Sequence, residues 1–317
     1  MDERAFGRLG AVSALTLGGG GIGQVWGPTS RDEAIATTRE AVEAGITLLD
    51  VAPGYGRGEA ERVVGQAFSG RPPDAVRIVT KVRLGAPPAA EVEGRIAGSL
   101  DESLQRMRLR RVDLLLLHNP IVPDDDAETA GPPSRLFAET VRPALERLVD
   151  SGRVGAWGIT GIGVPDPVIA VLGANPRPAA VQCIANLLDS AGALRRFAGE
   201  ARPREIIAAA AAGGVPVMGI RAVQAGALTG GFDRELPEGH ADRADFDRAA
   251  SFRALARELG ESPAALAHRY ALSLAGVATV VLGVKNRVEL RECLEAERRG
   301  ALEGELVAAI DASVRGS

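Results

Sequence analysis

The sequence predicts an α/β fold in which eight parallel strands and their helices form one closed barrel. First, short apolar runs of β type alternate with amphipathic helical runs along all 317 residues, which predicts a parallel sheet with right-handed crossovers. Second, eight such units within roughly 300 residues favour a closed barrel over an open doubly wound sheet. Third, no long linker rich in Pro, Gly or Ser divides the chain, so we expect one domain over residues 1–317.

The predicted strands are short, and several are continuously apolar, as expected for parallel strands that are buried on both faces. In chain order they are Ala14 to Gly18, Ile46 to Val51, Arg77 to Val82, Val112 to His118, Val154 to Thr160, Ala180 to Asn186, Pro216 to Ala222 and Thr279 to Val284. Helical patterns between them include Asp32 to Ala44, Glu91 to Met107, Arg135 to Ser151 and Arg204 to Ala212. After Gly300 we predict a short C-terminal helical tail, at about residues 301–313.

Two predicted connections are longer than the short loops that dominate compact α/β domains. Asn119 to Ser134 follows the fourth strand, and Val223 to Asp245 follows the seventh. Both would leave the C-terminal face of a barrel, where active sites are built. We therefore expect these loops to contribute to a functional site.

Composition and charge exclude several classes of function. The net charge is −4 and 25% of the residues are charged, so the chain has no electrostatic footprint for nucleic acid or an anionic membrane. No stretch reaches the ~18 consecutive apolar residues of a membrane span. The N-terminal residues also lack the apolar segment of a signal peptide. These features predict a cytoplasmic protein.

The two cysteines give no sign of metal binding or of a disulfide framework. Cys183 lies in a strand-like run and Cys293 in a helix-like run, and their spacing is not that of metal ligands. We interpret both as reduced thiols that pack in the core. No other metal-ligand motif is evident in the sequence.

The rarest polar residue types mark the candidate site. Only two of the 37 Lys and Arg residues are lysines, and the chain has two tyrosines and three histidines. In a chain so rich in Arg, Ala and Gly, we interpret these rare residues as positions where a substitute would not serve. Tyr55, Lys81 and His118 lie at or just beyond the ends of successive apolar runs.

Together with Asp50, these residues are predicted to meet at one end of the barrel. Asp50 ends the second predicted strand, Lys81 lies near the end of the third, and His118 ends the fourth. The C-terminal ends of neighbouring barrel strands converge around one mouth. Because a buried Asp or Lys is costly unless it is paired, we predict an Asp50–Lys81 ion pair with Tyr55 beside the ammonium.

This arrangement predicts a group that transfers a proton. A free tyrosine titrates near 10, and a neighbouring cation stabilises the phenolate and lowers the pKa of Tyr55. His118 would hydrogen bond the same substrate oxygen and orient it. A carbonyl held in this way is polarised for attack by a hydride, and the reverse reaction oxidises an alcohol. Taken singly, each residue also has a structural interpretation, as a buried ion pair, a satisfied histidine or a packed tyrosine.

The chain resembles the aldo-keto reductase family through motifs that cover nearly its whole length. LTLGGGGIGQVWG and GITLLDVAPGYGRGEAERVVGQAF resemble the family's opening glycine turn and the segment that carries its catalytic Asp and Tyr. VTKV and DLLLLHNP complete its Asp–Tyr–Lys–His tetrad, and SGRVGAWGIT, AVQCIANLL, GALTGGF and VVLGVKNRVELRE match later segments in order. The resemblance implies a (β/α)8 TIM barrel that binds NADP or NAD in an extended pose, without a Rossmann fold.

The resemblance also implies which positions contact the cofactor and the substrate. Near the nicotinamide and the pyrophosphate these would be Thr160, Gly161, Gln182, Ile220 and Arg221. Along the rest of the cofactor, with the adenosine end last, they would be Gly21, Ile22, Asp50, Gly226, Leu228, Gly283, Lys285, Arg287 and Glu292. Trp26 and Asn119 would help to line the pocket for a small carbonyl or alcohol substrate.

Two departures from the family pattern concern the nicotinamide end. Thr160-Gly161 stands where the family usually has Ser-Asn, so Gly161 offers no side-chain amide to the carboxamide. Ile220 stands where many members place an aromatic ring, so we expect aliphatic packing instead. The next residue, Arg221, would bind the pyrophosphate or a substrate anion, or else pair with a surface carboxylate.

The adenosine end leaves the choice between NADP and NAD open. Lys285 and Arg287 are basic residues of the kind that bind the 2′-phosphate of NADP in the family, and the rarity of lysine favours a phosphate partner for Lys285. Glu289 would repel a dianionic phosphate and accept a hydrogen bond from a ribose hydroxyl instead. We therefore predict NADP or NAD, with use of both as a hypothesis.

The sequence thus predicts an NAD(P)-dependent oxidoreductase that acts on an aldehyde, a ketone or a sugar hemiacetal. Tyr55 would be the general acid and base, with Lys81 and Asp50 as tuners of its pKa. One alternative is a non-catalytic nicotinamide-binding sensor or regulatory subunit, since such relatives can keep the tetrad. Another is a barrel enzyme of unrelated chemistry, such as an isomerase, but the phosphate-binding signature or metal ligands that it would need are not evident.

Overall fold

The computed structural model describes residues 1–85, 87–126 and 128–315. The first element of the chain is an antiparallel hairpin. The hairpin consists of β1 (Glu3–Ala5) and β2 (Ala11–Ser13). The turn between them buries Phe6 against inward-facing residues of the barrel strands, among them Leu48 and Leu114. The hairpin therefore closes the N-terminal end of the barrel. Sequence analysis missed it because three-residue strands carry too short a pattern to read.

Eight further strands form a closed parallel barrel, which confirms the predicted fold class. They are β3 (Leu15–Gly18), β4 (Leu48–Asp50), β5 (Arg77–Val82), β6 (Val112–Leu117), β7 (Val154–Thr160), β8 (Val181–Ile184), β9 (Val217–Ile220) and β10 (Val277–Leu282). Each strand pairs with its neighbour in sequence, and β10 pairs back with β3. All eight predicted strands overlap observed ones. Most predicted runs were longer, because burial continues past the hydrogen-bonded ladder into the loops.

Helices lie between the strands. Within the described ranges they are α1 (Gly19–Ile22), α2 (Arg31–Glu43), α3 (Glu59–Ala67), α4 (Ala89–Met107), α5 (Ser134–Leu136), α6 (Arg142–Asp150), α7 (Pro165–Gly173), α8 (Pro203–Ala212), α9 (Ala241–Arg248), α10 (Ala250–Glu258), α11 (Pro263–Ser273), α12 (Arg287–Arg298) and α13 (Gly304–Arg315). Short 3₁₀ turns occupy Gly7–Leu9, Gly192–Leu194 and Gln224–Gly226. Among these helices, none is long and apolar enough to cross a membrane.

Several helices begin at a side chain that accepts a hydrogen bond from the first turn. Ser30 caps α2, Ser262 caps α11 and Asn286 caps α12, each by accepting from the backbone N–H three residues later. The predicted helix from Arg135 to Ser151 is instead divided by a π-type segment at Phe137–Val141. Pro143, just inside α6, has no N–H to donate, so the regular ladder is broken at this turn.

Both long connections leave the C-terminal end of the barrel, as predicted. The loop after β6 is joined by a bridge between Val122 and Pro133. The loop after β9 turns at Gln224–Gly226 and then leads into α9, which begins inside the predicted loop at Ala241. Cys183 and Cys293 are free and buried, and burial raises the pKa of both thiols, that of Cys183 to about 12, so both remain protonated in the core.

The C-terminal helix is fastened to the barrel by the second tyrosine of the chain. The fully buried Tyr270 donates from its hydroxyl to Asp311 of α13 and accepts from Arg204 Nη2 at 2.6 Å. The helix spans Gly304–Arg315, close to the predicted 301–313. The limits of the predicted domain, 1 and 317, stay a prediction, since residues 86, 127, 316 and 317 lie outside the described part of the chain.

Tyr270→Phe is expected to lower the free energy of unfolding by about 2 kcal/mol, because two hydrogen bonds to charged groups are lost in a buried site. Urea denaturation followed by circular dichroism measures the change. Glu305→Gln, an exposed change on α13, is the control and should stay within about 0.5 kcal/mol of wild type. Equal stability of the two variants would contradict a fastening role for Tyr270.

Candidate active site

The predicted Asp50–Lys81 ion pair is present at the C-terminal end of the barrel. Asp50 ends β4, and Lys81 lies on the neighbouring strand β5. Lys81 Nζ donates to Asp50 Oδ1 at 2.7 Å and to the Val51 carbonyl oxygen at 3.1 Å. Burial lowers the pKa of Lys81, but Asp50 and Tyr55 outweigh it and raise that pKa overall. Lys81 is therefore a fixed cation.

Tyr55 lies beside this cation, as predicted. Its backbone N–H donates to the Ala52 carbonyl oxygen at 3.1 Å in the turn after β4, and its ring centre lies 4.7 Å from Lys81 Nζ. Burial raises the pKa of Tyr55, and the lowering effect of Lys81 does not overcome it. The expectation of a lowered pKa is therefore not met in the structure, because desolvation of the phenolate outweighs its attraction to the ammonium.

His118, the residue directly after β6, completes the group. Its backbone N–H donates to the Val82 carbonyl oxygen at 2.7 Å, and its ring meets the Tyr55 ring edge-on, with centroids 5.8 Å apart. Burial, together with the positive charges of Lys81 and Arg83, lowers the pKa of His118 to about 3. The imidazole is therefore neutral at physiological pH, with one nitrogen that donates and one that accepts. Within the described residues, neither nitrogen has a hydrogen-bond partner.

Gln182, predicted to lie near the nicotinamide, is also bonded to this group, which the sequence analysis did not predict. Its Nε2 donates to Asp50 Oδ2 at 2.8 Å, so Asp50 uses one oxygen for Lys81 and the other for Gln182. The bond crosses the barrel from β8 to β4, over a sequence separation of 132 residues. In the sequence, a polar amide in an apolar strand was the signal that marked Gln182. Its partner, Asp50, could not be identified from the sequence, because the two residues come together only when the barrel closes.

The other residues predicted at the nicotinamide end lie next to Gln182. Thr160 Oγ1 donates to the Leu117 carbonyl oxygen at 3.1 Å, and the Gly161 N–H donates to the Gln182 carbonyl oxygen at 2.6 Å. A Cβ at position 161 would lie 3.0 Å from that oxygen, which is tighter than most Cβ contacts. Gln182 Oε1 has no partner among the described residues and can accept from a ligand.

Arg221 is bound inside the protein. It follows Ile220 at the end of β9 with a φ of 57°, its Nη2 donates to Asp242 Oδ1 at 2.8 Å, and its Nε donates to Gln224 Oε1 at 2.8 Å. Only 6% of the Arg221 side chain and 3% of Asp242 are exposed. Of the two alternatives, the pairing with a carboxylate is present, but that carboxylate is buried and not on the surface.

Asp242 belongs to a buried polar network that the sequence analysis did not predict. Asp245, one turn further along α9, accepts from Gln224 Nε2 and from Ser190 Oγ, both at 2.6 Å. Asn186, after β8, donates to Gln224 Oε1 at 3.1 Å. The network fastens α9 to the ends of β8 and β9, next to the predicted cofactor positions.

The basic residues predicted at the adenosine end are paired with carboxylates. Lys285 Nζ lies 2.5 Å from Asp233 Oδ2 and 2.8 Å from Glu289 Oε1. Arg287 Nη2 lies 2.9 Å from Glu33 Oε2. Two cations thus face three carboxylates. The excess of negative charge opposes binding of the 2′-phosphate of NADP at this position.

Trp26 lies across the glycine turn after β3. A Cβ at Gly20 would lie 2.4 Å from Trp26 Nε1, and one at Gly283 would lie 3.2 Å from it. A Cβ at Gly21 would lie 1.9 Å from the Val284 carbonyl oxygen. Glycine is therefore required for the loops after β3 and β10 to touch beneath the indole.

The remaining predicted contacts have roles within the fold. Ile22 and Leu228 are buried in the hydrophobic core, and Gly226 has a φ of 98° in the turn after β9. Asn119 Oδ1 accepts from the Leu84 N–H at 2.8 Å, and Glu292 accepts from the hydroxyl of Ser262 at the cap of α11.

Comparison with known proteins identifies the family of this chain and several relatives. The family model described as "Aldo/keto reductase family" matches residues 14–315. L-galactose dehydrogenase of Arabidopsis thaliana is 35% identical over 168 residues, 51% of this chain and 49% of that protein. D-threo-aldose 1-dehydrogenase of a Pseudomonas species is 31% identical over 173 residues, 47% of this chain and 50% of that protein. The chain spans about half the length of the curated relatives it matches.

Solved structures match over nearly the full length. An aldo-keto reductase from Bacillus halodurans, described as a holo form, has a TM-score of 0.75 at 23% identity, with 100% of this chain and 97% of that chain covered. A glycerol dehydrogenase from Gluconobacter oxydans has a TM-score of 0.73 at 23% identity, with 96% and 92% covered. At these identities the matches support the barrel fold.

Proposed function

The chain belongs to the aldo/keto reductase family, and from that premise we propose that it is an NAD(P)-dependent oxidoreductase acting on an aldehyde, a ketone or a sugar hemiacetal. One observation carries the proposal. A buried Lys81–Asp50 ion pair lies beside Tyr55, and Tyr55 meets the neutral His118 at the mouth of the barrel. This is a proton donor, its charge partner and an orienting group in one place.

In the proposed reaction Tyr55 protonates the carbonyl oxygen of the substrate. Its raised pKa keeps it protonated at neutral pH, which suits it to act as an acid in carbonyl reduction. Lys81 then stabilises the tyrosinate that forms, and Asp50 and Gln182 hold Lys81 in position. The N–H of the neutral His118 donates to the same carbonyl oxygen and aligns it. In the oxidation of an alcohol, the tyrosinate takes the proton back.

The residues near the end of β8 fit a nicotinamide ring. Gln182 Oε1 is an acceptor without a partner among the described residues, and Gly161 has no side chain to occupy the adjoining space. Thr160 keeps a hydroxyl oxygen that can accept a hydrogen bond. When bound there, the cofactor would supply a hydride to the substrate carbon or receive one from it.

A spectrophotometric screen for NAD(P)H-linked turnover tests the proposal over aldehydes, ketones, sugars and lactols. The names of the two sugar-dehydrogenase relatives support including L-galactose and D-threo-aldoses. Turnover of any of these classes is the expected result. Tight cofactor binding with no turnover over the whole panel would contradict it and favour a sensor or regulatory subunit instead.

The paired cations near α12 make a prediction about cofactor choice. Asp233→Asn is expected to lower the ratio of the NADP⁺ and NAD⁺ dissociation constants by about three- to tenfold, because one partly exposed carboxylate near Lys285 is worth roughly 1 kcal/mol. Quenching of tryptophan fluorescence measures both constants. Glu40→Gln, which alters the more exposed pair with Arg291, is the control. An unchanged or raised ratio in Asp233→Asn would place the 2′-phosphate away from Lys285.

A further inference from the structure

Arg83 is held at the mouth of the candidate active site by the backbone on either side of it. It comes one residue after β5, and the Val82 carbonyl oxygen accepts from the His118 N–H at 2.7 Å. On its other side, the Leu84 N–H donates to Asn119 Oδ1 at 2.8 Å. Because the His118 bond continues the pairing of β5 with β6 by one residue, Arg83 lies at the carboxyl end of β5, two residues beyond Lys81.

The side chain of Arg83 has no protein partner. It is exposed, and within residues 1–85, 87–126 and 128–315 it makes no hydrogen bond or ion pair. Arg221, the residue after β9 at the same end of the barrel, is the opposite case, since Asp242 and Gln224 take up its guanidinium. Of these two strand-end arginines, only Arg83 is available to a ligand.

The charges at the mouth leave a positive excess at Arg83. Lys81 is neutralised by Asp50, and the imidazole of His118 is uncharged at physiological pH. The charge of Arg83 reaches the reacting groups, since it helps to lower the pKa of His118. An anion near the substrate carbonyl would therefore be attracted to this position.

We propose that Arg83 binds a carboxylate or phosphate carried by the substrate, so that the preferred substrates are anionic aldehydes or ketones. The proposal rests on the function proposed above. A guanidinium presents a planar fork of donors that matches the oxygens of either group. Arg83 is then a determinant of specificity, separate from the groups that move the proton.

Two matched substrate pairs test this proposal, and they distinguish the two anions. The first pair is 4-carboxybenzaldehyde and 4-methylbenzaldehyde, and the second is glyceraldehyde 3-phosphate and glyceraldehyde, each with NADH and with NADPH. The wild-type protein is expected to prefer the anionic member of at least one pair. In Arg83→Gln, kcat/KM for that member should fall by about 10- to 100-fold, mainly through KM, while the neutral member changes by less than about twofold. Arg83→Lys should restore part of the loss.

Arg110→Gln is the matched control. Arg110 is also an exposed arginine without a partner in the described part of the chain, but it precedes β6 at the opposite end of the barrel. An equal loss in Arg110→Gln would indicate a long-range effect of net charge and overturn the proposal. An unchanged preference in Arg83→Gln, with neutral aldehydes still reduced, would overturn it and leave the oxidoreductase proposal standing.

Calorimetric titration with benzoate and with inorganic phosphate separates the two proposals if no aldehyde is reduced. Weaker binding of either anion to Arg83→Gln than to wild type would support the anion site, even though the proposed function had failed. Equal binding to the two proteins would overturn the anion site as well.

Discussion

Tyr55→Phe is expected to reduce turnover of every accepted substrate by at least about 10²- to 10⁴-fold, the usual contribution of a positioned general acid or base. Only the hydroxyl is removed, and the ring that meets His118 is kept. Affinity for the cofactor should therefore stay within about twofold. Initial rates and cofactor titrations on the same preparation measure the two effects. Retained turnover in this variant would contradict the assignment of Tyr55 as proton donor.

The wild-type pH profile gives an independent check of this assignment. His118 has a pKa of about 3, and the pKa of Tyr55 is raised above its ordinary 10.0. For carbonyl reduction, which needs protonated Tyr55 and neutral His118, kcat/KM should be level from about pH 5 to 9 and fall only above this range. A limb near pH 6 to 7 that disappears in His118→Gln would contradict a neutral His118.

Lys81→Met is expected to abolish turnover and to lower the free energy of unfolding by about 3–5 kcal/mol, because it leaves Asp50 as an uncompensated buried charge. Urea denaturation at neutral pH measures the stability. The double variant Asp50→Asn/Lys81→Met removes both charges, so it should regain much of the stability and none of the activity. If the double variant were no more stable than Lys81→Met, the ion pair would not be the cause of the loss.

The same pair predicts how stability depends on pH. The folded protein raises the pKa of Lys81 above the ordinary 10.5, so the stabilisation from its protonation is fully present below 10.5 and is lost as the pH rises through the raised value. The stability difference between wild type and Lys81→Met should therefore narrow above pH 10.5. A difference that stays constant into this range would show that Lys81 contributes through packing alone.

Features at the ends of consecutive strands were predictable in both fold and chemistry. The apolar runs before Asp50 and His118 predicted buried parallel strands, and the parallel direction alone brings their ends to one face. Lys81, a lysine in an apolar strand, required a carboxylate, and Asp50 was the charge at the end of the adjacent strand. The four proposed catalytic residues lie on or just after three consecutive strands, so the order of the strands was sufficient to group them.

Contacts across the barrel and into the loops were not predictable. The hydrogen bond from Gln182 to Asp50 depends on closure of the barrel, because closure places β8 opposite β4. Asp242 is one of many acidic residues in a charged loop, and nothing local marks it as the buried partner of Arg221. Lys285 likewise has a carboxylate partner, Asp233, that is 52 residues away.

The sequence by itself predicted the barrel, the end at which the candidate site lies and the four side chains that meet there, because the apolar runs and the scarcity of lysine, tyrosine and histidine are local signals. Only the tertiary structure decided how these groups are charged and which cations remain open to a ligand. Burial raises the pKa of Tyr55 more than Lys81 lowers it. Arg221 is neutralised by a buried carboxylate, while Arg83 is not paired within the described residues. The physical reason is that desolvation and pairing depend on every group that surrounds a charge, and the fold assembles those groups from distant parts of the chain.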